Sequence, residues 1–417
     1  MQAIVSKSKL SGEVSVSGAK NNSLRLLVAS LLTKGKLTLT NCPFSILDLQ
    51  IQIEMLKYLG KTISVKGETI VIEENKPLKS ELIWDKRSIR NTLLVLGCLL
   101  SRTGYGKVPV PGGCKLGERK YDIHVYIMEK LGAKVWEEGE YLCAESKSRL
   151  KGNDLHLPIR STGSTENGIL MGCLAEGKTT IWNPHIRPEI IDMIDMLRAF
   201  GVKIIVNGQE SIEVFGEESL DAQCIHTCIP DNMEALTFAI ATAITLGEVE
   251  IFNFPFQHLE VPLIYLRESG MKFYKSFDSN SLIVKQGNIY PVEIATGPYP
   301  SLNSDMQPLF ASFALFAKGT SKIVDLRFAG RYGYSEEFNK LGARTYTSGD
   351  ILIIEGGQKL SGSKTAAIDL RAGAALTLAG MGIDGNTEIE SFEQVLRGYN
   401  NFVEKLKTLG GNIEIQS

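Results

Sequence analysis

Nowhere in this sequence do apolar residues run uninterrupted for the ~18 positions that a bilayer-spanning helix needs, so no membrane span is expected. The first residues, Met1-Gln2-Ala3-Ile4-Val5-Ser6-Lys7, lack the basic and apolar segments of a secretory signal, and none is expected. Long basic runs are missing and the net charge is only -2, which argues against nucleic acid or an anionic membrane as a general partner. Cysteine is scarce: seven, an odd number without framework spacing, fits a reducing cytoplasm rather than a disulfide-stapled fold. There is no low-complexity linker. What is present is an ordinary globular composition, 43% hydrophobic and 22% charged. The chain's 417 residues are too many for one core, so two domains of about 200 residues are expected.

One pattern returns six times. A polar residue opens an apolar helix, a glycine and a short strand follow, and a second helix ends in another glycine. The second glycine stands at Gly60, Gly132, Gly201, Gly270, Gly342 and Gly410, with separations of 68 to 72 residues. The glycine between first helix and strand recurs at Gly35, Gly106, Gly177, Gly247, Gly319 and Gly385. This period is too long for the common solenoid repeats and suits a whole supersecondary unit. The first helices are apolar on most faces (Leu24 to Leu32, Leu93 to Leu100, Ile169 to Ala175, Ala235 to Ala243, Leu309 to Ala317, Ala372 to Ala379), which predicts burial. The segments Leu37 to Thr40, Thr179 to Trp182, Lys203 to Val206, Val249 to Phe252 and Thr387 to Glu390 read as strands. An α/β fold of two inside-out lobes is expected, helices within and sheets without, three units to each lobe with a cleft between and a hinge near Cys228 to Asn232.

The residues opening the buried helices are Lys20-Asn21-Asn22, Arg90-Asn91, Ser164 to Asn167, Asp231-Asn232, Ser304-Asp305 and Asp369-Leu370-Arg371. Asp and Ser there are ordinary N-caps. Lys20, Arg90 and Arg371 oppose the positive end of the helix dipole. They are read either as solvated surface charges or as parts of a phosphate site, where a bound anion reverses the cost. Between Tyr105 and Asp122 a glycine-rich loop holds Cys114 beside Lys115 and Arg119. Flanking cations favour thiolate, which makes this the reactive cysteine on a lid-like loop. Cys98 and Cys173 lie in apolar helices and read as core, while Cys42 and Cys143 carry no partner motif. Two other signals fail. Gly172 to Thr179 spells a P-loop, but a helix precedes it and a strand follows, the reverse of what the motif needs. Cys224-Ile225-His226-Thr227-Cys228 lacks a second ligand pair and reads as a strand rather than a zinc site.

The chain resembles the UDP-N-acetylglucosamine 1-carboxyvinyltransferases over essentially its full length. The resemblance is carried by Ser17 to Asn21, Pro111 to Cys114 with Gly117 and Arg119, Asp122 with His124, Gly163 to Asn167, Pro230-Asp231 with Glu234, Ser304 to Gln307, Arg331, Asp369 to Leu376 and Arg397-Gly398-Tyr399. The shikimate-pathway enolpyruvyl transferases share the sixfold fold, but lack the cysteine loop and open with a different lysine motif. The resemblance implies transfer of enolpyruvyl from phosphoenolpyruvate to a sugar hydroxyl with release of phosphate, a step of peptidoglycan synthesis, without metal or organic cofactor. It implies lobes of 1–19 with 230–417, and 20–229. Cys114 is then the general acid toward the methylene carbon and Asp305 the base for the sugar hydroxyl. Lys20, Asn21, Arg119, Arg371 and Arg397 would bind phosphoenolpyruvate, Lys20 and Arg397 also counting with Cys114 and Asp305 among the catalytic residues. The nucleotide sugar would meet Asn21, Arg90, Arg119, Lys120, Tyr121, Asp122, Ile123, Ile159, Arg160, Ser161, Thr162, Gly163, Ser304, Asp305, Arg327, Phe328 and Arg331.

Departures from the family pattern cluster on the nucleotide side. Lys120 and Arg160 stand where proline is usual, Arg327 where an aliphatic residue is, and Ala329-Gly330 replaces an acidic and polar pair. Leu396 takes the place of an aspartate and Asn232 that of an arginine. The acceptor side thus gains three cations. Two readings stand: drift around the standard acceptor, or a different, more anionic nucleotide in a specialised-metabolite pathway. A non-catalytic nucleotide-sugar sensor is disfavoured because Cys114, Asp305 and Arg397 are all present.

Overall fold

The apolar helices are buried along nearly their whole length. They are α1 (Lys20–Ala29), α2 (Thr92–Thr103), α3 (Thr162–Gly172), α4 (Asn232–Ile244), α5 (Gln307–Ala314) and α6 (Leu370–Gly382). In α4 every residue from Met233 to Ile244 is buried. Small residues make this possible, because Ala and Gly let helices approach closely without polar side chains to satisfy. The computed structural model describes residues 1–87, 89–110, 121–221, 223–276, 278–328 and 330–416.

Contacts divide the chain into two units, Met1–Ser17 with Pro230–Ser417, and Gly18–Ile229. Each has its own hydrophobic core. In the unit Gly18–Ile229, α1 to α3 accompany three sheets. One sheet orders its strands Cys224–Thr227, Leu37–Thr40, Thr69–Glu73, Thr62–Lys66; the last strand of the unit in sequence thereby pairs, in parallel, with the first. In the other unit, α4 to α6 accompany three four-stranded sheets. The amino-terminal segment belongs there: Gln2–Ser6 lies antiparallel between Asn386–Glu390 and Asn412–Gln416, and Ser11–Ser15 runs parallel to Glu248–Phe252.

The glycines Gly60, Gly132, Gly201, Gly270, Gly342 and Gly410 all take positive φ, from 86° to 115°. At Gly60 the left-handed turn closes helix Leu47–Leu59, the Gly60 N–H donating back to Leu56 and Lys57 carbonyls. The other glycine series needs one correction. Gly106 lies inside strand Tyr105–Pro109, and the residue that ends α2 is Gly104, at φ 75°. Gly106 is small because a Cβ there would come within 2.7 Å of Leu96 Cδ1, where strand packs on helix. The P-loop look-alike is indeed the end of α3 followed by strand Lys178–Trp182. Cys224–Thr227 is a strand, and among the described residues no group of three or more His, Cys, Asp or Glu could hold a metal. Cys42, however, does have a partner: its Sγ lies 3.4 Å from that of Cys228. A contact between residues 186 apart carries no local sequence signal. No helix among the described residues is long and apolar enough to cross a membrane.

Candidate active site

In the unit containing α4 to α6, the chain folds four charged groups together, three of them at helix starts. Asn303 caps a short 3-10 turn, Ser304–Met306, its side chain accepting from Asp305 N–H; the turn leads into α5. Asp369 caps α6 by accepting from the N–H groups of Arg371 and Ala372, which sets Arg371 in the first turn. Arg331 Nη1 donates to Asp305 Oδ1 at 2.7 Å and to Ser304 Oγ at 3.2 Å, and its Nη2 lies 3.5 Å from Asp369 Oδ2. Behind them Asp325 is buried and saturated: its carboxylate accepts from Ser304 Oγ, Thr296 Oγ1 and the N–H groups of Arg327 and Phe328. That fixes the Phe328 segment, whose ring lies under both Arg327 and Arg331.

Arg371 is the unusual member. It is buried over the Tyr399 ring, and its Nε and Nη1 make no hydrogen bond among the described residues. Asp305 Oδ2 lies 3.8 Å from Nε, too far for one. Burial opposes its charge, but Tyr399, Asp305 and Asp231 outweigh that and hold its pKa above the ordinary guanidinium value. Arg331 Nε is also buried and unpartnered among the described residues. A buried cation with unmet donors is stable only if something anionic completes it. Arg397, at the end of the short helix Glu393–Leu396, donates to Gln394 Oε1 at 3.0 Å.

The unit Gly18–Ile229 brings together the second group. Lys20 opens α1, its Nζ 2.6 Å from buried Asp48 Oδ2. Arg25, one turn on, bridges the Asn21 carbonyl and Glu166 Oε1 (3.1 and 2.9 Å), tying the start of α1 to α3. Ser161, rather than Ser164, caps α3, so that Ser164 to Asn167 lie inside the helix and are all buried. Gly163 leaves room for the His124 ring, whose Nε2 would stand 3.2 Å from a Cβ there. Burial, and then the Arg90 charge, push His124 down to about 3, so the ring is neutral and is no proton donor near neutral pH. Thr162 Oγ1 meets His185 Nδ1 at 2.8 Å, Arg160 Nε donates to Asn183 Oδ1 at 3.2 Å, and Ile159 is exposed. Tyr121 hydrogen-bonds Glu137, while Asp122 and Ile123 begin helix Asp122–Lys130. Cys114, Arg119 and Lys120 lie outside the described residues.

Sequence reasoning passed over Asp48 and Asp325, which anchor Lys20 and the Phe328 segment. Asp48, an acid in the first turn of its helix, reads from sequence only as a dipole partner. Asp325 follows a strand and offers no signal at all.

This fold is that of the enolpyruvyl transferases among solved structures. The enolpyruvyl transferase NikO from Streptomyces tendae superposes with a TM-score of 0.89 at 23% identity, over 99% of this chain and 98% of that one. An EPSP synthase from Acinetobacter baumannii gives 0.80 at 20% identity over the whole of both chains. The sequence profile of EPSP synthase (3-phosphoshikimate 1-carboxyvinyltransferase) matches residues 4–406. A UDP-N-acetylglucosamine 1-carboxyvinyltransferase 2 of Carboxydothermus hydrogenoformans is 38% identical over 413 residues, 99% of this chain and 98% of its own. One of Streptococcus thermophilus is 37% identical over 98% of this chain and 97% of its own. The chain therefore belongs to the enolpyruvyl (1-carboxyvinyl) transferase family.

Proposed function

We propose that this protein transfers the enolpyruvyl group of phosphoenolpyruvate to the 3-hydroxyl of the sugar in UDP-N-acetylglucosamine, releasing phosphate, as a step in making peptidoglycan precursor. The observation that carries this reading is Arg371, buried with two donors unmet beside Asp305. Such a guanidinium suits a carboxylate or phosphate that binds and leaves. The relatives' names supply the acceptor.

In this reading Asp305 takes the proton of the sugar hydroxyl as its oxygen bonds to C2 of phosphoenolpyruvate, and Cys114 protonates the methylene carbon. Arg331 and Arg371 flank Asp305; with Lys20, Arg119 and Arg397 they offset the anionic charge of the tetrahedral adduct. Loss of a methyl proton and of phosphate then restores the enol ether. The Gly18–Ile229 unit would carry the Cys114 loop, and we take the six sheets as six copies of one unit of about 70 residues grouped as two inside-out barrels.

The test is phosphate release from phosphoenolpyruvate with UDP-N-acetylglucosamine as acceptor and Cys114→Ala as control. Release that needs both acceptor and thiol is expected. Folded protein that stays silent with this acceptor yet turns over with a more anionic nucleotide would transfer the proposal to the alternative acceptor, with Lys120, Arg160 and Arg327 as its recognition groups.

A further inference from the structure

Strand Leu37–Thr40 runs parallel to Cys224–Thr227, with Thr40 opposite Thr227. One residue beyond the pairing, Cys228 N–H donates to the Thr40 carbonyl at 3.0 Å, and Asn41 Nδ2 donates to the Cys228 carbonyl at 2.9 Å. Asn41 adopts the left-handed conformation, φ 55°. The turn it makes leaves the Cys42 thiol against that of Cys228, Sγ to Sγ 3.4 Å. Gly18 packs on the same spot, where a Cβ would lie 1.7 Å from the Asn41 carbonyl oxygen and 3.3 Å from Cys228 Cβ. Ala19 N–H meets the Ile229 carbonyl at 2.7 Å. The two thiols therefore sit where the chain enters and leaves the Gly18–Ile229 unit.

We propose that Cys42 and Cys228 are a redox modification site, a dithiol that a peroxide converts reversibly to a disulfide stapling the exit of this unit to its first sheet. The chemistry closes with hydrogen peroxide as the oxidant. One sulfur attacks a peroxide oxygen, the O–O bond breaks, and a sulfenic acid and water result. The second sulfur attacks the sulfenic sulfur, forming S–S and releasing a second water, so two thiols lose two electrons and two protons. The sulfurs must approach by roughly 1.4 Å to reach bonding distance.

The site is slow by construction. Both thiols are fully buried, and the hydrogen bond with Cys228, together with burial, pushes the Cys42 thiol far above its usual range. Thiolate is the reactive form, so oxidation proceeds through opening of Cys224–Thr227. That strand is at the edge of its sheet, with Ile225 on it 79% exposed. Once formed, the bond closes a loop of nearly the whole unit and constrains its unfolded state.

The full-length protein is incubated for hours with millimolar hydrogen peroxide, then alkylated under denaturing conditions and digested without reductant. The expected result is a peptide linking Cys42 to Cys228, lost on treatment with dithiothreitol. A reversible rise of roughly 5–10 °C in unfolding midpoint should accompany it and be absent in Cys228→Val. The linked peptide is read on the unsubstituted chain, so the test survives a valine variant that folds poorly. Recovery of Cys42 and Cys228 as alkylated thiols, or of either one bound to a different cysteine, overturns the proposal.

Discussion

Under the proposed function, Arg371 sets folding against activity within one side chain. Each buried, unsatisfied polar group costs roughly 1–3 kcal/mol, and Arg371 keeps Nε and Nη1 in that state among the described residues. Methionine fills similar volume, keeps apolar contact with the Tyr399 ring and removes the buried charge. Arg371→Met is therefore expected to melt at the same temperature or higher, while phosphate release falls at least ~100-fold. Parallel thermal melts and turnover assays decide it; a large drop in melting point with activity kept would make Arg371 a structural residue. At this scale the sequence was informative where chemistry is local. Arg371 stood out in the sequence because a cation at a helix start opposes the dipole; Asp305 read there as an ordinary cap, whereas Asn303 caps the turn and Asp305 lies within it. Asp325 was not legible, since its role is to collect Ser304, Thr296 and the Arg327 and Phe328 amides from separate segments.

At the scale of one element, the start of α4 is a cap extended across the chain. Asp231 accepts from the N–H groups of Met233 and Glu234, and Glu234 reaches Ser17 N–H at 2.9 Å and Lys405 Nζ at 2.5 Å. Burial pushes Glu234 up from 4.5 to about 7, with the Lys405 ammonium pulling the other way and Asp231 adding to the rise. A carboxyl raised in the folded state holds its proton more tightly there than in the unfolded chain. Its contribution to stability is full below about pH 4.5 and is lost as pH climbs through 7. The loss is on the order of 3 kcal/mol. Glu234→Gln should flatten the fall in melting temperature between these pH values, and a slope equal to that of the unsubstituted protein would remove Glu234 as its source. Helix positions and their closing glycines were legible because periodicity and left-handed caps are written locally. The Glu234–Ser17–Lys405 cluster was not, for its members are 217 and 171 residues apart. The misplaced Gly106 has the same origin: packing against Leu96, not a turn, requires it.

For the whole molecule, the telling fact is that both crossings of the chain lie side by side. Ser17 O accepts from Asp231 N–H at 2.8 Å, and Ala19 N–H donates to Ile229 O at 2.7 Å. The segment Gly18–Ile229 is thus an insertion whose ends are adjacent, with a core drawn wholly from its own residues. A segment with its own core and adjacent ends can in principle fold without its host. Expressed alone, 18–229 is expected to give a cooperative thermal transition and native-like helix and strand content by circular dichroism. Residues 1–17 joined through a short Gly-Ser link to 230–417 should do the same, since the link spans only a hydrogen-bonded pair. If the proposed mechanism is right, neither should release phosphate, because the residues it uses are divided between them: Asp305, Arg371 and Arg397 in one segment, Lys20 and Cys114 in the other. A broad, non-cooperative melt from 18–229 would mean that the strand pairing of Cys224–Thr227 with Leu37–Thr40 does not suffice to close that unit.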